Sequence, residues 1–369
     1  MSLFLDRHSG GERALLVHIK LAGERNQEDL SEFENLVKSA GCLTTKVILG
    51  SRVVPSPKWF VGSGKLAEIT SFVRKYSANV VIFNHNLSAT QERNLEVKLC
   101  CKVVDRTSLI LDIFSQRART HEGKLQVELA QLQHLSTKLI RGWTHLERQQ
   151  GGIGTRGPGE TQLEFDKRLI RNRVAKIKNR LVKVHKQREQ NRQRRIRSGL
   201  PLVSLVGYTN VGKSQLFNQL TRADVYVKNQ LFATLDPTMR KGYLANYGSV
   251  IFADTVGFLS NLPHRLIDAF RATLEEVCQA SLLLHVADLT AKDVNLSVRR
   301  VNQILTDIGA QNIPTLMVYN KTDIVEALSP RVDRDSSGKP VSVYLSGLSG
   351  AGVEGLRSAV ASRLRLDQV

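Results

Sequence analysis

Residues 202–214 read LVSLVGYTNVGKS, a strand-like run that turns through glycines into Lys-Ser. The segment 207–214 satisfies G-x-x-x-x-G-K-[ST] directly after a strand and before a helix, the setting a phosphate-binding loop needs. Gly207 and Gly212 let backbone N–H groups converge on phosphate oxygens with no Cβ in the way, and Tyr208, Thr209, Asn210 and Val211 fill the loop between them. Lys213 is placed to reach the β- and γ-phosphates and Ser214 to ligate Mg²⁺. The helix that follows adds its positive N-terminal end.

Working outward, strand-like runs recur at SVIFAD (249–254), LLLHVAD (282–288), TLMVYNK (315–321) and VSVYLS (341–346). Near-continuous apolar runs separated by helical segments predict strands buried on both faces of a doubly wound, mostly parallel sheet. Three more motifs end these strands. DTVG places Asp254 at the Mg²⁺ hydration shell and the Gly257 N–H at the γ-phosphate, with Thr255 and Val256 between. NKTD places the Asp323 carboxylate where it accepts two hydrogen bonds from the guanine edge. Adenine offers an amino donor and a bare acceptor there, so guanine is selected. Asn320, Lys321 and Thr322 would pin the base and tie it to the phosphate loop, and SGL (Ser346, Gly347, Leu348) offers backbone N–H to the guanine carbonyl. Four motifs in order, each at a strand's carboxyl end, predict a P-loop GTPase domain. A hydroxyl must also close over Mg²⁺ and the γ-phosphate, and FATLDPT (232–238) offers both Thr234 and Thr238.

The residue after DTVG is Phe258, where many signalling GTPases carry a water-orienting glutamine. Slow intrinsic turnover, accelerated by a partner, is therefore expected. The Asn210 side chain is a candidate K⁺ ligand, with a turn residue as the plain alternative.

Upstream the texture differs. From 13 to 115, ALLVHIKL (14–21), TKVILG (45–50), NVVIF (79–83) and KVVDR (102–106) alternate with helical stretches, predicting an α/β layer over 1–120. FVGSGK (60–65) lacks the full phosphate-loop spacing and reads as a strand-to-helix turn. From 121 to 199 the strand signal vanishes. Leu125, Leu129, Leu132, Leu135, Leu139, Trp143 and Leu146 form one apolar stripe, and Ile170, Val174, Ile177, Leu181 and Val184 another. Facing stripes predict an antiparallel helical hairpin with arms of about 28 residues, roughly 40 Å long. The GTPase domain occupies 200–369.

The hairpin's tip, 151–164, contains GGIGTRGPG. No strand precedes it, and the nucleotide site is complete without it. Its second arm is densely basic: residues 165–200 carry fourteen Lys/Arg against two acids, a net of +12 within a chain total of +19. Such concentration is the footprint of a polyphosphate partner. Gly151, Gly152, Gly157, Pro158 and Gly159 permit a narrow tip, and Arg156 supplies a planar cation for phosphate or bases. An RNA-probing finger is predicted.

No apolar run of 18 residues and no cleavable apolar leader is present, so neither a membrane span nor secretion is read. Cys42, Cys100, Cys101 and Cys278 show no C-x-x-C spacing and read as buried thiols in a reducing cytoplasm.

The chain resembles the HflX family of ribosome-associated GTPases along nearly its whole length. The resemblance is carried by RARTHEGKLQVELAQL (117–132), RGWTHLERQQGGIGTRGPGETQLE (141–164), LFATLDPT (231–238) and DTVGFLSNLPH (254–264). It implies a monomeric cytoplasmic GTPase, partly ribosome-associated, that binds the 50S subunit and its rRNA through the N-terminal domain, the hairpin tip and the GTPase domain. GTP-bound protein would split stalled or idle 70S ribosomes, and hydrolysis to GDP would release it. The alternative is an RNA-binding docking or assembly factor that uses GTP only as a timer. The family's second Mg²⁺ ligand, within FATLD, falls on Thr234, placing Phe232, Ala233, Leu235 and Asp236 around the nucleotide. Lys213, Thr234 and Gly257 would carry the catalysis. Three departures stand out: Gln215 replaces a small hydroxyl residue, Gly347 an alanine, and the chain ends at Val369 where many relatives continue into a small domain.

Overall fold

The computed structural model describes residues 11–22, 28–139, 162–197, 199–221, 231–232, 234–259, 274–325 and 328–366. The chain divides into two compact units between Lys183 and Val184.

The first unit is built on β1 (Arg13–Leu21), α1 (Glu28–Ser39), β2 (Leu43–Arg52), α2 (Ser63–Tyr76), β3 (Val80–Phe83), α3 (Ala89–Leu99), β4 (Lys102–Val104), α4 (Arg106–Arg117) and α5 (His121–Lys138). Its four strands form a wholly parallel sheet in the order β2-β1-β3-β4. All four expected strands form. KVVDR stops short at Val104, because the Asp105 carboxylate accepts from the Ser108 N–H at 2.8 Å and caps α4. Phe60 and Gly62 turn the chain into α2, as FVGSGK predicted. Cys42 and Cys101 are sheltered, and burial pushes both thiols up to about 12. Cys100 departs from expectation: it sits exposed at the left-handed C-cap of α3.

The two apolar stripes meet. Leu135, Leu139 and Ile170 pack together with Leu132 and Val174, and Arg173 pairs with Glu128 at 2.6 Å, so α5 and the 36-residue α6 (Gln162–Arg197) run antiparallel. The arms differ from the expected length. The first helix ends at Lys138, after 18 residues, with Leu139 extended as its C-cap. The reason is the buried Lys138 ammonium, which pairs with Glu92 and with Asp105 (2.8 Å) and fixes the helix end against α3 and α4. At the second arm, helix begins at Gln162 and so takes the last three residues of the expected tip loop. Trp143 and Leu146 lie outside the described residues.

The second unit holds β5 (Leu202–Gly207), α7 (Lys213–Thr221), β6 (Thr238–Leu244), β7 (Gly248–Asp254), β8 (Leu282–Asp288), α8 (Val294–Asp307), β9 (Thr315–Asn320), β10 (Arg331–Arg334), β11 (Pro340–Tyr344) and α9 (Val353–Leu366). The sheet order is β10-β11-β9-β8-β5-β7-β6. The five inner strands are parallel and match the five predicted runs, while β6 and β10 are antiparallel edges that no run announced. Strands β5 and β8 are buried along nearly their whole length, as a doubly covered sheet requires. By contrast β9 alternates, leaving Tyr319 and Tyr344 half-buried and stacked 4.8 Å apart on one face. The order places β5, the strand feeding the phosphate loop, between β7 and β8, so the switch point of the sheet lies at the loop's mouth.

Candidate nucleotide and magnesium site

The loop 207–212 leaves the end of β5 and enters α7. Gly207 has φ +150°, and a Cβ there would overlap the Val286 carbonyl of the neighbouring strand. Gly212 has φ +92°, and its Cβ would collide with the Asn320 amide. Both positions therefore demand glycine. Asn210 accepts φ +64° between them, Tyr208 packs partly against the core, and Val211 is buried.

Lys213 opens α7 and is itself buried. Its ammonium donates to the carbonyls of Gly207 (3.1 Å) and Tyr208 (2.7 Å), which folds the side chain back along the loop. Burial lowers its pKa to about 8, against the opposing pull of Asp254. On β8, His285 is held down to about 4 by burial and then by the nearby Lys213 charge.

Behind the loop three oxygens meet. The Ser214 and Thr234 hydroxyls both donate to Asp254 Oδ2, at 2.6 and 2.8 Å, and lie 2.8 Å from each other. Thr234 reaches this cluster from the segment before β6. Thr238 is instead the first residue of β6, in register with Asp254 through the backbone. Asp254 is fully buried, and burial pushes its pKa up despite those donors. Its second oxygen, Oδ1, has no hydrogen-bond partner among the described residues. Hard oxygen donors crowded around an under-neutralised carboxylate suit a small dication such as Mg²⁺. The residues present therefore fit the metal.

Two strands across from β5, Asn320 ends β9 and works as a staple. Its Nδ2 donates to the Val211 carbonyl and its Oδ1 accepts from the Gly347 N–H, both at 2.8 Å. The phosphate loop and the SGL turn are thus joined through one amide. Lys321 pairs with Asp288 at 2.5 Å, a partner at the end of β8 that motif reading missed. The register of β8 on β9 sets Asp288 opposite Asn320 and so beside Lys321, a proximity that spacing along the chain does not reveal. Thr322 is buried, with its N–H on the Leu345 carbonyl, while Asp323 is exposed on the turn beyond it. Ser346 is buried and Leu348 is 68% exposed.

The flanking segments complete the picture. Thr255 anchors its hydroxyl on the Leu205 carbonyl (2.6 Å), and Val256 is buried beside it. Phe232 (φ +56°) and Leu235 are buried and Asp236 is half-buried. Ala233 lies outside the described residues. So do Gly151, Gly152, Arg156, Gly157, Pro158 and Gly159 of the tip. Phe258 is buried, and its backbone bridges to Tyr208.

Comparison with known proteins matches three family models in succession: a GTP-binding GTPase N-terminal region over 27–115, a GTP-binding GTPase middle region over 117–195, and a 50S ribosome-binding GTPase domain over 202–321. GTPase HflX of Escherichia coli (strain K12) is 59% identical over 360 residues, covering 97% of this chain and 84% of the relative. GTPase HflX of Caldanaerobacter subterraneus subsp. tengcongensis is 45% identical, covering 96% and 81%. Among solved structures, a complex of SsGBP with GDP aligns over 97% of this chain and all of its own, at TM-score 0.54 and 22% identity. At that identity the likeness shows the fold.

Proposed function

Since the chain belongs to the HflX family of GTPases, ribosome-associated enzymes that hydrolyse GTP to GDP and phosphate, we propose that it binds the large ribosomal subunit when GTP-loaded and splits 70S particles. Hydrolysis then releases it. The observation that carries the nucleotide half of this reading is the convergence of Ser214, Thr234 and Asp254 behind a loop whose lysine folds back onto the loop's own carbonyls. In this reading Ser214 and Thr234 would hold Mg²⁺, with Asp254 accepting from its water shell, and the bound ion would supply positive charge against that of the phosphates. Lys213 clamps the same phosphates, the Gly257 N–H senses the third, and Asp323 selects guanine. Asn210, with its backbone fixed in the left-handed region, offers its amide to K⁺ at the phosphates. Replacing K⁺ by Na⁺ should then slow hydrolysis.

The ribosomal half rests on α6. Its exposed lysines and arginines form one basic arm that ends only a few residues before β5. Attached to such an arm, the tip residues Gly151, Gly152, Arg156, Gly157, Pro158 and Gly159 would contact rRNA. The protein acts as a cytoplasmic monomer in this account. No helix among the described residues is long and apolar enough to cross a membrane. The test is light scattering of purified 70S ribosomes mixed with the protein and a non-hydrolysable GTP analogue. A loss of scattering supports splitting. Stable 70S particles with bound protein support a GTP-timed docking factor instead.

A further inference from the structure

We propose that Thr209 orients the attacking water in GTP hydrolysis, its hydroxyl standing in for the glutamine side chain that Phe258 lacks. This deepens the GTPase reading and rests on it.

Three observations converge. First, Phe258 is apolar and 2% exposed, and its backbone is already used: its N–H donates to the Gly207 carbonyl at 3.1 Å, and its carbonyl accepts from the Thr209 N–H at 2.8 Å. Residue 258 therefore has neither a polar side chain nor a free N–H to offer a water molecule. Second, those two bonds clamp the chain so that Thr209 abuts Gly257. A Cβ built on Gly257 would lie 2.8 Å from both Thr209 Cα and Cγ2, and 3.0 Å from Lys213 Nζ. Thr209, Gly257 and the lysine ammonium thus crowd together beside the phosphate loop. Third, Thr209 is 6% exposed and its hydroxyl has no hydrogen-bond partner among the described residues. The hydroxyls of Ser214, Thr234 and Thr255 each have one. A buried hydroxyl left unpaired is costly, and a bound substrate and its water would remove that cost.

The chemistry of the group fits the task. A hydroxyl carries one donor and two acceptor sites. Thr209 accepts a hydrogen bond from the water and donates one to a γ-phosphate oxygen, holding the water in line. The water oxygen forms the new bond to phosphorus. The bond from phosphorus to the bridging oxygen breaks, and its electron pair stays on GDP. The proton leaving the water passes to a γ-phosphate oxygen, so Thr209 finishes as it began. Because the hydroxyl touches both substrate and water, it is a catalytic group rather than a packing element.

The structural alternative is that Thr209 only packs against Gly257, and two substitutions separate the cases. Thr209→Val keeps the shape and removes the hydroxyl, whereas Thr209→Ser keeps the hydroxyl and removes a methyl. Single-turnover GTP hydrolysis by the full chain is measured beside equilibrium binding of GDP and of a non-hydrolysable GTP analogue. The expected result is a fall of about thirtyfold or more in the valine variant's rate constant. Both affinities should stay within about threefold of the parent, and the serine variant should keep the rate within about threefold. Hydrolysis at the parent rate by the valine variant, an equal loss in the serine variant, or a loss of GDP affinity matching the loss of rate would each overturn the proposal. Failure of the parent chain itself to bind GDP would instead remove the site reading beneath it.

Discussion

The Ser214 hydroxyl donates to Asp254 Oδ2 at 2.6 Å, joining the start of α7 to the end of β7 across forty positions of sequence. With Thr234 on the same oxygen and Oδ1 unpartnered, the carboxylate sits ready for a cation. Asp254→Asn keeps the shape and removes the charge. The Mg²⁺ concentration for half-maximal hydrolysis should rise about tenfold or more. A titration that superimposes on the parent curve would remove Asp254 from the metal's surroundings.

Lys213 gives the nucleotide site a pH signature. Burial lowers its pKa to about 8, so its proton is lost far more readily than a free lysine's until phosphate arrives. The sign follows: below pH 8 the ammonium is present and binding needs no proton, while above it binding must take one up. Nucleotide affinity should be flat from pH 6.5 to 7.5 and fall by up to about tenfold per unit above 8. Calorimetry at pH 8.5 in buffers of different ionisation enthalpy should report proton uptake. Release, or no dependence on buffer, contradicts this.

Two glycines make opposite predictions. At Gly347 a Cβ would stand 3.3 Å from Asn320 Oδ1, a contact that a small shift relieves. Gly347→Ala should keep GDP affinity within about threefold. At Gly212 the backbone is left-handed and the Cβ meets the same amide head-on. Gly212→Ala should cost about 2 kcal/mol or more, roughly thirtyfold in affinity. Fluorescent-GDP titration of the pair decides, and equal affinities would contradict the stapling role of Asn320.

Base selection is tested by Asp323→Asn. The carboxylate accepts from two guanine N–H donors, whereas an amide both donates and accepts. Xanthine, which replaces the amino group with a carbonyl, complements the amide. The variant should lose GTP affinity by about a hundredfold and gain affinity for XTP. Retained GTP preference would place guanine recognition elsewhere.

In the first unit, Lys138 is buried between Glu92 and Asp105. Lys138→Met would leave two carboxylates without their cation and should destabilise this unit by about 3–5 kcal/mol. Urea unfolding followed by Trp59 fluorescence, in a Trp143→Phe background, measures it. A loss below about 1 kcal/mol would show that the pair does not fix the end of α5.

The sequence disclosed most of what a period or a motif can encode. Nine parallel strands followed from apolar runs, and the site's order followed from four short motifs. What escaped reading has physical reasons. Strands β6 and β10 carry TMRKGYL and RVDR, half-exposed edge sequences whose pairing is set by neighbours rather than by their own apolarity. The Lys321–Asp288 pair joins the ends of adjacent strands 33 residues apart, which spacing cannot announce. The early end of α5 depends on an ion pair with α3 and β4's successor turn, invisible along the helix itself. The choice between Thr234 and Thr238 was likewise beyond spacing, since both flank the same turn.

The central claim is that the nucleotide held by one unit governs attachment to the large subunit. Co-sedimentation with purified 50S particles, at fixed salt, tests it most directly. The protein should pellet with the particles in the presence of a non-hydrolysable GTP analogue and remain largely in the supernatant with GDP. Equal pelleting with both nucleotides, or none with either, would contradict the account.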